Sequence, residues 1–161
     1  MTLRSVADCC IPLDNSNPPE LGWYEFTPIL NCLNSQNINP QDYYGFISPK
    51  FEIKTGLDPR SLIEFVEKNQ NDYQVFISNR CWDQAAFFLN VWYQGDFWHP
   101  GLMQSTQNFL NTINVELNLS EVVGNSYNSV MSNFVIANGE FWVRWAELAN
   151  KFVSYLNNHP L

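Results

Sequence analysis

The sequence predicts one α/β domain over residues 1–161, with three layers in which helices flank a short, mostly parallel sheet of about four strands. A chain of 161 residues is the size of one ordinary domain. Short apolar runs alternate along it with segments of helical periodicity, and no linker, charge run or repeat divides them. This alternation favours a parallel sheet, because parallel neighbours need crossover connections that place helices on the faces.

The first elements follow from turn formers and apolar spacing. An apolar run predicts the first strand over residues 6–13, before a cluster of turn formers at 12–19. Residues 23–34 carry apolar side chains every three or four positions, which predicts a helix with one buried face. Aromatic and β-branched residues predict a second strand over 42–48, which ends before Pro49 because proline cannot continue a ladder.

A helix start is predicted at Asp58, which can cap the helix while Pro59 takes the first helical position. A third strand is predicted over residues 73–78. Residues 82–93 predict a helix that is apolar almost all round, with its end near Gly95.

The remaining elements lie in the last third of the chain. Residues 99–101 open another helix, which carries apolar side chains as far as Ile113. Residues 133–138 predict a short fourth strand. The last helix is predicted over residues 141–156, where an apolar stripe recurs every three or four positions.

Charge and hydropathy exclude several classes of protein. The chain has 16 Asp and Glu against 8 Lys and Arg, a net charge of -8. It offers no basic stripe for nucleic acid, and anionic membranes are disfavoured likewise. No apolar run approaches the ~20 residues of a membrane span, and the first residues lack the apolar core of a signal peptide, so we expect a cytoplasmic protein.

The four cysteines are Cys9, Cys10, Cys32 and Cys81, and they form no Cys-x-x-Cys motif. Cys9 and Cys10 would point to opposite faces of a strand that carried them. We expect buried free thiols, with a metal or redox site as the alternative.

Ligand-binding residues are predicted at the carboxyl ends of the strands, where open α/β sheets bind their ligands. The loops after the four strands place six polar side chains on one rim: Asp14, Asn15, Ser48, Lys50, Asn79 and Arg80. Lys50 and Arg80 could each hold a phosphate, and the alternative for both is a solvated surface charge.

The common motifs of nucleotide-binding, hydrolytic and zinc sites are absent. Asp96 and His99 are spaced so that they could share a face of a turn and exchange a proton or bind a metal. The alternative is that Asp96 caps a helix while His99 packs against Trp98. Of the six tryptophans, Trp98 and Trp23 lie near predicted loops and could contact a ligand, whereas the others fit a core.

Several short blocks resemble small bacterial glycosyltransferase-like proteins associated with cell-surface polysaccharide loci. The blocks read IPLDN at 11–15, DYYGFISPKF at 42–51 with KTGL at 54–57, LNVWYQG at 89–95 with HPGL at 99–102, and SNFVIAN at 132–138 with FW at 141–142. Two features depart from that group. Residues 79–82 lack its Asn-Pro-Phe-Pro type of turn, and the Asp-x-Asp pair that holds a divalent metal in many nucleotide-sugar transferases is missing.

This resemblance implies a glycosyltransferase-A-like core that binds or transfers a nucleotide-activated sugar, with the cofactor left open. On this hypothesis, Asp14 and Asn15 would bind base or ribose by hydrogen bonds, Lys50 and Arg80 would face phosphate, and Asp96 or His99 would be the general base. The alternative function is a non-catalytic module that binds a saccharide or a protein on the same fold. A third hypothesis is a homo-oligomer in which another copy of the chain covers the aromatic surface.

Overall fold

The computed structural model describes residues 8–14, 23–78, 82–125 and 127–159. The elements, in chain order, are α1 (Phe26–Ser35), β1 (Tyr43–Gly45), α2 (Phe51–Thr55), α3 (Pro59–Asn69), β2 (Val75–Ile77), α4 (Trp82–Phe87), α5 (Val91–Trp98), α6 (Leu102–Thr112), β3 (Val135–Asn138) and α7 (Gly139–Asn158). They form two compact units. The first falls within Met1–Ser78 and Asn133–Ala149, and the second within Asn79–Ser132 and Asn150–Leu161. One domain over 1–161 stays a prediction.

The sheet belongs to the first unit and differs from the predicted one. Its three strands lie in the order β1-β3-β2, and β3 is antiparallel to both neighbours. Tyr44 is opposite Ala137 on one side, and Phe76 is opposite Ile136 on the other. The predicted parallel sheet of four strands in a glycosyltransferase-A-like core is therefore wrong.

The physical reason lies in the position of β3. Since β1 and β2 both run antiparallel to β3, they run in the same direction, as the helical crossover between them leads one to expect. They are not neighbours, however, because β3 returns from late in the chain and pairs between them. The predicted first strand is also missing from the part of 6–13 that the structure describes. There Asp8 and Cys9 form a turn, and residues 11–13 have no regular structure.

The core of the first unit is formed by α1, β3 and α7, which contribute Ile29, Leu33, Ala137 and Trp142. The Trp142 indole nitrogen donates to the Tyr44 carbonyl at 2.8 Å, so its burial leaves no unpaired donor. α7 begins at Gly139, where a Cβ would lie 2.1 Å from the main-chain oxygen of Asn39. Only glycine fits this close approach.

The helix ends show which local predictions hold. The Asp58 side chain accepts a hydrogen bond from the Ser61 backbone N–H at 3.0 Å, and Pro59 is the first residue of α3, which confirms the predicted start. The predicted helix over 82–93 is wrong as one element, because it is divided into α4 and α5. The predicted end at Gly95 is also wrong, since that glycine lies inside α5.

The second unit is built around two buried groups of residues. Phe109 of α6 packs against Phe152 and Tyr155 of α7, with ring centroids 5.2 and 5.5 Å apart. Asn90 and Leu119 are almost fully buried. Among the helices of the described residues, none is long and apolar enough to cross a membrane.

Candidate functional site

The structure describes only part of the predicted rim. β1 and β2 end at the edge of the sheet where β3 begins, whereas Asn138 at the end of β3 is opposite Tyr43 at the start of β1. The loop after Asn138 therefore lies at the other edge, because β3 is antiparallel. Of the six rim residues, Asn15, Asn79 and Arg80 lie outside the described residues.

The described rim residues have local contacts. The Ser48 hydroxyl accepts from the Lys50 backbone N–H at 3.2 Å, and the Ser48 carbonyl accepts from the Phe51 N–H at 2.9 Å. Lys50 precedes α2 and is exposed, as is Asp14 at the end of the first described segment. Ser48 thus shapes the turn into α2, and the ligand roles of these residues stay predictions.

Asp96 holds the turn between α5 and α6. Its Oδ1 atom accepts backbone N–H groups from Gly101 and Met103, both at 3.0 Å. Gly101 has a φ of 95°, a left-handed conformation that glycine adopts at little cost. His99 follows the last residue of α5 as its C-cap and is exposed. These contacts favour the capping interpretation of Asp96, while its role and that of His99 in proton transfer stay predictions.

An aromatic cluster lies beside this turn and consists of Phe88, Phe97 and Trp98. The Phe97 ring lies 5.8 Å from that of Phe88 and 5.0 Å from that of Trp98, centroid to centroid. Phe97 and Trp98 are 65% and 64% exposed, so most of their aromatic surface faces solvent. Trp98 is therefore accessible, as a ligand contact requires.

A second feature of this unit is a groove of about 450 Å³ between the end of α6 and residues 113–118, here called the amide groove. Its polar lining consists of four amides and one carboxylate: Gln107, Asn111, Asn114, Asn118 and Glu116. Val115 and Leu117 add apolar surface. The groove thus combines hydrogen-bonding groups with exposed hydrocarbon and has no lysine or arginine in its lining.

Gln107 fixes the shape of the amide groove. Its Nε2 atom donates to the Leu117 carbonyl and to Asn111 Oδ1, both at 2.9 Å. Its Oε1 atom accepts from the Leu119 backbone N–H at 2.9 Å. One side chain of α6 therefore holds the segment that follows the helix against the last two turns.

Asn114 turns the chain as it leaves α6. It has a φ of 57°, the left-handed region, which asparagine tolerates better than most residues. Within the described residues no hydrogen bond to the side chain of Asn114 or Glu116 is formed. Both groups are therefore free to face a ligand in the groove.

A smaller groove of about 400 Å³ lies between the ends of α6 and α7. It contains Lys151 and the stacked rings of Tyr155 and His159, whose centroids are 4.4 Å apart. Across the described ranges, no group of three or more His, Cys, Asp and Glu side chains is arranged to hold a metal ion.

No protein-family model, curated protein or solved structure matches this chain. The resemblance to glycosyltransferase-like proteins therefore stays a prediction. The amide groove was missed at the level of sequence, although Gln107, Asn111, Asn114 and Asn118 follow each other at intervals of three or four residues. That spacing was visible, but nothing in it showed that the chain turns after α6 and closes a groove.

Proposed function

We propose that the protein is a non-catalytic binding module that takes a neutral saccharide in the amide groove. The lining of the groove is the observation that carries the proposal: four amides, one carboxylate and two apolar side chains, with no basic residue. Sugar hydroxyls both donate and accept hydrogen bonds. Amides offer both functions without charge, and a carboxylate accepts strongly.

The hydrogen-bonding capacity of the groove is divided between structure and ligand. Gln107 is fully engaged, and Asn111 accepts from it through Oδ1. The Oδ1 atom of Asn118 accepts from both the backbone N–H and the hydroxyl of Ser120. The Nδ2 atoms of Asn111 and Asn118 remain for a ligand, together with Asn114 and Glu116.

The expected affinity is low. A dissociation constant of 1 mM corresponds to about 4 kcal/mol. Three or four hydrogen bonds at ~0.5–1.5 kcal/mol each, with some apolar contact, supply an amount of that order. An open groove of this kind is consistent with weak, reversible binding rather than with a buried catalytic pocket.

The charge of the groove distinguishes this proposal from transfer of a nucleotide-activated sugar. A diphosphate needs cations to balance its charge, and the only ionisable group in the lining is Glu116. Transfer stays a hypothesis that rests on the short sequence blocks, since its geometry depended on a parallel sheet and the sheet of the described residues is antiparallel.

A second candidate function is the binding of a partner protein through the aromatic cluster of Phe88, Phe97 and Trp98. Exposed Trp and Phe side chains are enriched at protein interfaces. A partner with an apolar segment flanked by basic residues fits best, because this chain has a net charge of -8. The same charge opposes pairing with a second copy.

The proposal is tested by titration of the labelled protein with neutral di- and trisaccharides, followed through the side-chain amide resonances in NMR. Saturable shifts of Asn111, Asn114 and Asn118 are expected, and UDP- and GDP-sugars should show no advantage over the same sugar alone. Binding of nucleotide-sugars without binding of the free sugars would contradict the proposal and favour transfer. Saturation with no shift at the three amides would place the ligand elsewhere.

A further inference from the structure

Cys9 and Cys10 lie side by side in the turn that replaces the predicted first strand. Their Sγ atoms are 3.9 Å apart, and both residues are partly exposed. On a strand the two side chains would point to opposite faces, as the sequence led us to expect. The turn overturns that expectation and brings two thiols to one place.

The turn is tied to the first unit by an ion pair. The Asp8 carboxylate accepts a hydrogen bond from the Arg60 guanidinium, and Arg60 is the second residue of α3. The contact spans 52 positions of sequence and links the turn that carries the two thiols to the start of α3. Two donors that already lie side by side lose less conformational freedom when they bind a shared ligand.

We propose that Cys9 and Cys10 form a dithiol site for a soft, thiophilic metal or metalloid ion that both sulfurs bind together. Thiolate sulfurs select soft ions. Two sulfurs at ~2.3 Å from a shared tetrahedral ion lie roughly 3.8 Å apart. The 3.9 Å between the Cys9 and Cys10 sulfurs is close to that separation, so both sulfurs can reach one ion after a small rotation of their side chains.

The adjacency of the two residues in sequence disfavours a disulfide between them. Disulfides join Cα atoms that are usually ~4.4–6.8 Å apart, whereas consecutive Cα atoms across a trans peptide are about 3.8 Å apart. No third His, Cys, Asp or Glu joins the pair within the described segments. The ligand should therefore be one that needs only two sulfurs from the protein.

Phenylarsine oxide is the probe that meets this requirement, because its arsenic keeps the phenyl group and bonds to two thiols. Two As–S bonds form, the As–O bond breaks, and the two thiol protons leave with the oxygen as water. No oxidant or reductant takes part. In the intact chain, one equivalent should consume two of the four thiols. Mass mapping should place the arsenic on the peptide that contains Cys9 and Cys10.

Variants separate paired from independent binding. A background with Cys32→Ser and Cys81→Ser leaves only the pair, and it should still bind one equivalent. Adding Cys9→Ser or Cys10→Ser should weaken binding by about 10²–10⁴-fold, because the second sulfur acts at a high effective concentration. Two adducts per chain, arsenic on Cys32 or Cys81, or equal affinity in the single-thiol variants would overturn the proposal. Mapping of the arsenic on the intact chain tests the proposal even if a variant fails to fold.

Discussion

Asn90 and Leu119, 29 positions apart in sequence, are joined in the interior by a 2.9 Å hydrogen bond from the Asn90 side-chain amide to the Leu119 carbonyl. The same amide group donates to the Val122 carbonyl at 2.8 Å. Asn90 Oδ1 accepts from the backbone N–H groups of Trp92 and Tyr93 and so caps α5. One buried side chain therefore starts a helix and anchors the segment that continues from the amide groove.

Asn90→Ala should lower the free energy of unfolding by about 2–4 kcal/mol, because the buried Leu119 carbonyl and the part-buried Val122 carbonyl lose their donor and α5 loses its cap. Urea unfolding measures this change. Asn157→Ala, which removes an exposed amide from α7, is the control and should stay within about 0.5 kcal/mol of the parent. Equal effects of the two substitutions would mean that the Asn90 hydrogen bonds contribute little.

Asn90 also shows where sequence analysis fails. The residues around it, 85–92, are mostly apolar, and their pattern predicts one continuous helix. The helix is interrupted there because Asn90 adopts an extended backbone and its side-chain amide donates to carbonyls about 30 positions later in the chain. Such partners cannot be read from local periodicity. The start of α3 at Asp58 and Pro59 could be predicted, because its contacts lie within three residues.

Strand positions and strand direction differ in the same way. Residues 42–48, 73–78 and 133–138 each contain an observed strand, since a strand depends on local aromatic and β-branched content. The order of the strands in the sheet depends on which distant segment pairs between β1 and β2. Local sequence patterns do not show which segment that is. The error in direction affects the predicted rim only through β3, because the loop after Asn138 lies at the edge opposite to the ends of β1 and β2.

Gln107→Ala should loosen the amide groove. Residues 117 and 119 lose their hydrogen bonds to the Gln107 side chain, so the Leu119 amide proton should exchange with solvent faster. The expected loss of stability is about 1 kcal/mol, since the part-buried Leu119 N–H is left unpaired while the exposed Leu117 carbonyl can bond to water. Gln104→Ala is a matched control on the same helix, where the amide bonds only to Asn108 on the surface. The prediction fails if Leu119 exchanges at the same rate in both variants.

Substitutions at Asn114 should separate ligand binding from backbone conformation. Asn114→Gly removes the side-chain amide but keeps the left-handed φ of 57° accessible, so stability should hardly change while saccharide affinity falls. Asn114→Ala removes the same amide and adds roughly 1 kcal/mol of backbone strain. Calorimetry and urea unfolding report the two quantities. If the glycine variant binds saccharides as tightly as the parent, Asn114 does not contact the ligand.

Charge reversal at Glu116 should distinguish a neutral ligand from a phosphorylated one. Glu116→Gln keeps a hydrogen-bonding group and should weaken saccharide binding by only about 1 kcal/mol. Glu116→Lys should weaken the binding of neutral saccharides at least as much, and the affinity of this variant for them should not depend on salt. If the parent protein binds UDP-sugars more tightly than the free sugars, and more tightly at low than at high ionic strength, phosphate recognition would be indicated instead. Titrations at two salt concentrations make the comparison.

Cys32 should make the stability of the first unit depend on pH in the alkaline range. Burial raises the pKa of the Cys32 thiol, because the thiolate is poorly solvated within α1. As pH rises above the ordinary cysteine value of about 8.5, the unfolded chain releases this proton first, so the native state binds more protons and stability falls until the raised pKa is passed. Cys32→Ser cannot ionise and should lose less stability between neutral and alkaline pH, as measured by urea unfolding.

Alkylation of the same thiol gives an independent measurement. In a chain with serine at positions 9, 10 and 81, Cys32 is the one thiol left to react with iodoacetamide. Because the thiolate is the nucleophile, the pH midpoint of the reaction in the native state should lie above that in urea. Coincident midpoints would mean that the native environment leaves the thiol as well solvated as the unfolded chain does, and the alkaline loss of stability would then need another titrating group.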